Sequence, residues 1–214
     1  MARDTRGRIL DTSLAMFNAQ GEANVTTNHI ADELEISPGN LYYHFRNKDD
    51  IIEHLFMRYE TRIDQALMIP EDHSPDLEDL WLQLHAVYEC IWDYRFLFRD
   101  LVDILMRNRK LRMHFSRILK RAADNATEVM HALVRAEVMR ASADEIHATA
   151  DNILVLATFW LNFSAVRGMR DEKEAIRHGI HQVLMLLAPF LRDAERLHLN
   201  RLSGAYLPGR ELGL

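Results

Sequence analysis

Thr26, Thr27 and Asn28, then Ser37, Pro38, Gly39, Asn40, Tyr42, Tyr43 and His44, and then Lys48 are hydroxyls, amides, rings and an ammonium brought close together in one short stretch. A solvated face ordinarily uses Glu and Lys, whereas Gly, Asn, Tyr, Tyr and His suit a surface that meets a flat, polar, negatively charged partner. Gly39 lacks the side chain that would hold backbone amides away from a phosphate. This is the chemistry of recognition. Catalysis finds no comparable set: the chain has no Gly-rich phosphate loop, no G-x-S-x-G elbow and no H-E-x-x-H. Glu174, His178 and His181 have the spacing of a metal half-site at i, i+4, i+7. With 11 His spread over the chain such spacings arise by chance, so no metal, no cofactor and no enzymatic activity are expected.

Two short helices and a tight turn must position the recognition residues. Ile30, Ala31 and Leu34 repeat at i, i+1, i+4, and Leu41 and Phe45 at i, i+4. Between them Ile36 is the one apolar residue of the turn and can plug the angle where the helices cross. On a wheel of ~100° per residue Leu41 and Phe45 lie within about 40° of each other and mark the buried face, which points Gly39 and Tyr43 the opposite way. Ser37 is placed as N-cap and Pro38 as first helical residue. An earlier helix from Thr5 to Phe17, ended near Gly21, carries Leu10, Leu14 and Phe17 to cover the crossing. Thr26 and Thr27 stand at the start of the second helix, where capping contributes about 1 kcal/mol. Asp49 and Asp50 open a long helix to about Met68, striped by Ile51, Leu55, Tyr59, Ile63 and Leu67, and complement its dipole. Lys48 does not fit that first turn on electrostatic grounds, and a phosphate contact is its most economical explanation.

The order T-T-x-x-I-A-x-x-L-x-I-S-P-G-N-L-Y-Y-H-F-x-N-K-x-x-I, from Thr26 to Ile51, resembles the DNA-binding signature of TetR-type (TetR/AcrR) one-component transcriptional regulators. The resemblance implies an all-α protein: a three-helix helix-turn-helix domain over 1–47, and a helical ligand-binding and dimerisation domain over 48–214 that begins with a connecting helix at 48–68. It also implies a homodimer on double-stranded DNA at a palindromic operator, acting as a repressor. In that reading Thr26, Thr27, Tyr42, His44 and Lys48 contact phosphates, while Asn28, Asn40 and Tyr43 reach base edges. Ser37 caps the recognition helix, and Pro38 and Gly39 bring backbone amides and apolar surface into the groove. Asn28 departs from many relatives, which carry a longer or charged residue there. The alternative is a helical ligand-binding or protein-interaction module that keeps the helix-turn-helix as scaffold and does not bind DNA.

Past a linker-like stretch at Pro70–Pro75 the chain holds only helix-period signals, over 77–93, about 96–106, 111–140, 143–166, 175–188 and a last piece to about 202. The helices near 143–166 and 172–188 are apolar over more than one stripe, so both faces must be covered. One face would lie in the core, and the other would meet a partner chain through Ile153, Ala157, Trp160, Leu161, Ile180, Val183, Leu184 and Leu187. Two such helices from each chain build a four-helix bundle; a central core helix in a monomer is the other arrangement. Met and aromatic residues make adaptable apolar walls, and Trp92, Phe96, Met106, Phe115, Met130, Phe159 and Trp160 are the candidates to line a small-molecule effector site. The stretch Tyr94–Leu101 is similar to the C-terminal domain of TetR-type regulators associated with polyhydroxyalkanoate and fatty-acid metabolism, which implies an acyl-chain effector. Without that second likeness the effector's identity is open.

The formal net charge of -6 excludes a protein that coats nucleic acid indiscriminately. Even residues 1–50 hold five cations (Arg3, Arg6, Arg8, Arg46, Lys48) against eight acids, so any basic footprint must be local. Cys90, the single cysteine, cannot form an intramolecular disulfide and fits a reducing compartment. The start Met1-Ala2-Arg3-Asp4 lacks an apolar core for a signal peptide, and the longest uninterrupted apolar runs, such as Ile153–Leu161, reach about half a membrane span. A cytoplasmic protein without membrane contact is the expectation.

Overall fold

The computed structural model describes residues 5–68, 75–204 and 206. Arg3, Asp4 and the expected linker at 70–74 lie outside the described residues. The all-α class is observed: apart from one isolated antiparallel bridge between Met139 and Leu191, the regular elements among the described residues are helices. In chain order they are α1 (Thr5–Gln20), α2 (Thr27–Glu33), α3 (Pro38–His44), α4 (Lys48–Ala66), α5 (Leu77–Asp93), α6 (Arg95–Arg99), α7 (Leu101–Arg107), α8 (Arg109–Arg135), α9 (Ala143–Val166), α10 (Glu172–Leu187) and α11 (Asp193–Gly204).

The chain divides into two compact units, one holding residues up to Arg62 together with Asp93–Phe115, the other Ile63–Trp92 together with residues from Ser116 onward. This differs from a boundary at 47/48. The first unit takes most of α4 because Ile51, Ile52, Leu55, Phe56 and Tyr59 are all buried. It takes 93–115 because aromatic rings from that segment fill its core. Phe96 stacks tilted against Phe17 at 5.3 Å, Phe98 meets Tyr59 edge-on at 5.7 Å, and Phe115 meets Phe56 at 6.4 Å. Asn18 anchors the same segment: its amide donates to the Asp93 carbonyl (2.7 Å) and accepts from the Phe96 amide (3.1 Å). The segment read as one apolar stretch over 96–106 is two short helices meeting at Asp100.

Within the first unit α1 ends at Gly21, whose φ of 83° is left-handed and whose amide donates to the Phe17 carbonyl. Glycine suits that position, lacking a Cβ. The turn from α2 to α3 needs a second left-handed residue, and here it is Glu35, at φ 54°. A non-glycine residue in that region is strained by about 1 kcal/mol. Glu35→Gly is therefore expected to raise stability by about 0.5–1 kcal/mol, read as a higher urea midpoint with unchanged slope; a lower midpoint would show that Glu35 contributes something its backbone does not reveal.

In the second unit α9 begins with the expected capping box, Ser142 Oγ accepting from the Glu145 amide and Glu145 Oε2 accepting from the Ser142 amide. α8 stops at Arg135 rather than near 140, and Glu137 turns the chain at φ 59°. α10 stops at Leu187, ahead of a 3-10 turn containing Pro189. α9 and α10 pack closely because Gly179 presents no Cβ; one there would come within 2.7 Å of the Trp160 ring and 2.8 Å of the Tyr88 ring.

That packing corrects the expected partner-facing set. Leu161, Ile180, Val183, Leu184 and Leu187 are buried within the chain itself, so they cannot face a second copy. Ile153, Ala157 and Trp160 are half-buried, and the Trp160 indole donates to the Ala175 carbonyl of α10. The outward apolar stripe of α9 is instead Val155, Phe159, Phe163 and Val166. As a whole α9 is long and apolar enough to cross a membrane, by length and composition, and this stripe is the part of its large apolar surface that stands exposed.

Candidate nucleic-acid interface

Local rules build α2 and α3. Thr26 caps α2, its Oγ1 accepting from the His29 amide at 3.2 Å while His29 Nδ1 accepts from the Thr26 amide. Ser37 caps α3 by accepting from the Asn40 amide at 3.2 Å, with Pro38 as the first helical residue. Leu41 and Phe45 are 0% and 1% exposed, whereas Tyr43 is 85% exposed; Pro38, Gly39 and Asn40 are exposed beside it. A seven-residue helix therefore turns its polar and aromatic side outward, as the wheel requires.

The hydroxyls of Thr27 and Tyr42 bond each other across the two helices at 2.9 Å. Such a pair shares one O–H, leaving the other proton to donate outward, for which a phosphate oxygen is a suitable acceptor. Asn28 is exposed on α2. His44 is half-buried and meets the Tyr43 ring edge-on at 5.1 Å.

Lys48 requires a correction. Its Nζ donates to the backbone carbonyls of Glu22 (3.0 Å) and Val25 (3.1 Å) and lies 2.8 Å from Glu22 Oε1. Two of the ammonium's three protons go to those carbonyls and its charge is met by the buried Glu22 carboxylate, so Lys48 staples the turn before α2. Glu22 is 1% exposed and also pairs with Arg107 of α7 at 2.9 Å. Burial pushes its carboxyl up, but hydrogen bonds and charge from Lys48 and Arg107 outweigh that and hold it below its ordinary value. Burial, with the Glu22 charge adding, pushes the neighbouring Asp100 carboxyl up.

The basic footprint is correspondingly small. Arg6 bonds His54 and lies over the Phe45 ring at 5.2 Å, and Arg58 pairs with Asp11. Arg8 and Arg46 are exposed, the Arg46 side chain being 84% so despite a 3.4 Å contact with Asp50. Lys48 drops out of the set of available cations, and these two arginines carry it among the described residues.

The seven candidate effector residues do not converge on one wall. Phe96 and Phe115 are core rings of the first unit, and Met106, in the same unit, is 75% exposed. Met130 is 1% exposed inside the second unit, and Phe159 lies on the outward stripe. Trp92 does line a cavity, of about 230 Å³, between α5 and α10. Sequence reading missed its other walls, Tyr88, Ile176, Ile180 and Tyr206, because the aromatic clustering it followed marks the core equally well. Among the described residues no group of three or more His, Cys, Asp or Glu side chains is placed to hold a metal ion.

A family model for bacterial regulatory proteins of the tetR family matches residues 9–55, and a second, TetR, a bacterial transcriptional repressor, matches residues 58–199. The crystal structure of a TetR-family transcriptional regulator from Marinobacter aquaeolei VT8 is similar with a TM-score of 0.88 at 39% identity, covering 96% of this chain and 100% of that one. An HTH-type transcriptional regulator of Staphylococcus aureus (strain bovine RF122 / ET3-1) is 33% identical over 116 residues, 54% of this chain, and the match spans 61% of that relative's length. The SmeT–triclosan complex shares the fold, with a TM-score of 0.56 at 20% identity over 90% of this chain and 94% of that one. With the capped helix-turn-helix inside one matched segment and the helices from α5 to α10 inside the other, the chain belongs to the TetR family of bacterial transcriptional regulators.

Proposed function

We propose that the protein is a dimeric, cytoplasmic repressor that binds a palindromic operator through α2 and α3 and leaves it when a small apolar or amphipathic molecule enters the second unit. The observation that carries the DNA reading is the outward set on α3: Pro38, Gly39, Asn40 and Tyr43 stand exposed on a helix whose opposite side is sealed by Leu41 and Phe45. Asn bonds adenine bidentately, Tyr meets a thymine methyl or a phosphate, and in this reading Thr27, Tyr42 and His44 are the phosphate contacts. Asn28 is the second candidate for a base edge.

A dimer delivers two such helices to half-sites about 34–36 Å apart, and the α9 stripe is the surface that favours pairing. α4 carries the chain from one unit into the other, ending its first-unit part at Arg62. A ligand that tilts it changes the separation of the two α3 helices and so the match to operator spacing.

Recovery of bound sequences from a random duplex pool tests the reading. A palindromic consensus is expected, and Asn40→Ala should lose about 1–3 kcal/mol of discrimination at a single base pair in each half-site. A chain that recovers no sequence from the pool would instead be an interaction module built on a helix-turn-helix scaffold.

A further inference from the structure

We propose that a second copy of this chain docks antiparallel on the outer face of α8, in a contact separate from the α9 stripe. Arg117, Lys120, Asp124 and Glu128 are all exposed and belong to the second unit. At i, i+3, i+7 and i+11 they form one stripe, within about 80° of the helix surface and roughly 17 Å long. Among the described residues none of the four is paired inside the chain, whereas the neighbouring Arg121 is held by Asp64 at 2.6 Å. The signs are segregated, two cations and then two acids. That order is unfavourable for the helix alone: Arg117 stands four residues from Arg121 and Asp124 four from Glu128, and like charges at that spacing repel.

Turned end for end, the same stripe is its own complement. About a two-fold axis beside Ala122 and Ala123, Arg117 of one copy meets Glu128 of the other and Lys120 meets Asp124, each pair made twice. A groove of about 390 Å³ between α8 and α9 receives the longer side chains, lined by Ala123, Asp124 and Glu128 from one helix and Asp151 from the other. A cavity of ~150 Å³ holds a benzene ring, so a guanidinium and its stem have room here. The three carboxylates outnumber Arg135, with His131 and His147 beside them, and the groove selects a basic occupant. Duplex DNA or an anionic membrane would meet the basic half of the stripe and be repelled by the acidic half; a second copy satisfies both. A contact built from exposed charge is weaker than an apolar one and sensitive to salt, so it forms at higher concentration than pairing through α9 and joins dimers into tetramers.

The test uses the full chain in sedimentation velocity over a concentration series, at about 0.1 M and about 1 M salt, where charges are screened over about 10 Å and about 3 Å. At the lower salt the mass should double beyond that of the species paired through α9; at the higher salt the doubling should vanish. Reversing the basic half, Arg117→Glu with Lys120→Glu, or the acidic half, Asp124→Arg with Glu128→Arg, should weaken the doubling more than about tenfold. Both variants should keep the wild-type circular dichroism because the four positions are exposed, and Arg117→Glu sets an acid four residues before Arg121, a favourable spacing. Mixed in equal amounts, the two reversed chains should associate again, since one stripe then holds only acids and the other only bases. The chain with all four reversed should self-associate as the wild type does. A wild type whose mass never doubles, doubling that survives the higher salt, reversed chains that associate as the wild type does, or a mixture that recovers nothing overturns the pairing. So does an Arg117→Glu, Lys120→Glu variant that loses duplex affinity while its association is unchanged, which would give the basic half to DNA.

Discussion

A chain carrying Phe159→Glu and Phe163→Glu is expected to stay helical, to sediment as a monomer, and to bind its operator roughly a hundredfold or more weakly. The fold should tolerate both changes because these rings are 43% and 51% exposed on α9, with Val155 and Val166 at 61% and 89% along the same stripe. Solvent already reaches these positions, so charge there disturbs no packed interior. In a dimer the same positions would be desolvated, and four carboxylates facing one another would repel. The affinity loss follows from linkage: when one α3 is docked, the second half-site is met at an effective concentration that multiplies affinity by about 10²–10⁴, and a monomer forfeits that factor. Sedimentation with fluorescence anisotropy on a full operator and on an isolated half-site checks both parts. A double variant that remains a dimer would place the pairing surface elsewhere.

Lys48→Ala should act on stability rather than on DNA. Removing the ammonium takes a donor from the Val25 carbonyl, leaves the Glu22 carbonyl with the Val25 amide only, and leaves the Glu22 carboxylate with Arg107 alone. Buried groups stripped of partners cost about 1–3 kcal/mol. Lys48 is about a quarter exposed, and water can reach the vacated space, so a loss of about 2 kcal/mol is expected. A phosphate ligand would behave differently: stability unchanged, all DNA bound more weakly, and the salt slope shallower by about 1. Urea unfolding and a salt titration on the same preparation distinguish the two results.

The same cluster sets an acid sensitivity. Glu22 has a carboxyl held below its ordinary value of 4.5 by Lys48 and Arg107 against the opposing push of burial. A depressed carboxyl contributes stability that is present above its unfolded value and is lost as pH falls through the folded one. Wild-type stability should thus decline below about pH 4.5, and in Lys48→Ala that decline should be flatter, because part of the depression has already gone.

The helix-turn-helix was legible because it is local. Leu41 against Phe45, Ser37 as cap and Pro38 as first residue act within one or two turns, and their consequences do not depend on what the rest of the chain does. The same holds for the Ser142 capping box and for the limits of α5 and α9. Lys48 was misread for the complementary reason. Its partner Glu22 is 26 residues away and anchored in part by Arg107, and no periodicity announces an ion pair across that separation. Phe96 and Phe115 show the limit from another side: an aromatic cluster in sequence looks alike whether it lines a cavity or fills the core beneath a helix-turn-helix.

What the sequence determined by itself was the all-helical class, the capped α2 and α3, and the outward order Pro38, Gly39, Asn40 and Tyr43, since these follow from side-chain period and hydrogen-bonding chemistry between near neighbours. Only the tertiary structure decided that Val183, Leu184 and Leu187 are sealed inside the chain while Val155, Phe159, Phe163 and Val166 remain outside. It also decided that Trp92 shares a cavity with Tyr88 and Tyr206. A helix apolar on several sides can turn any of them inward, and the choice is made by whichever distant surface fits it, here the bare backbone of Gly179 against Trp160 and Tyr88.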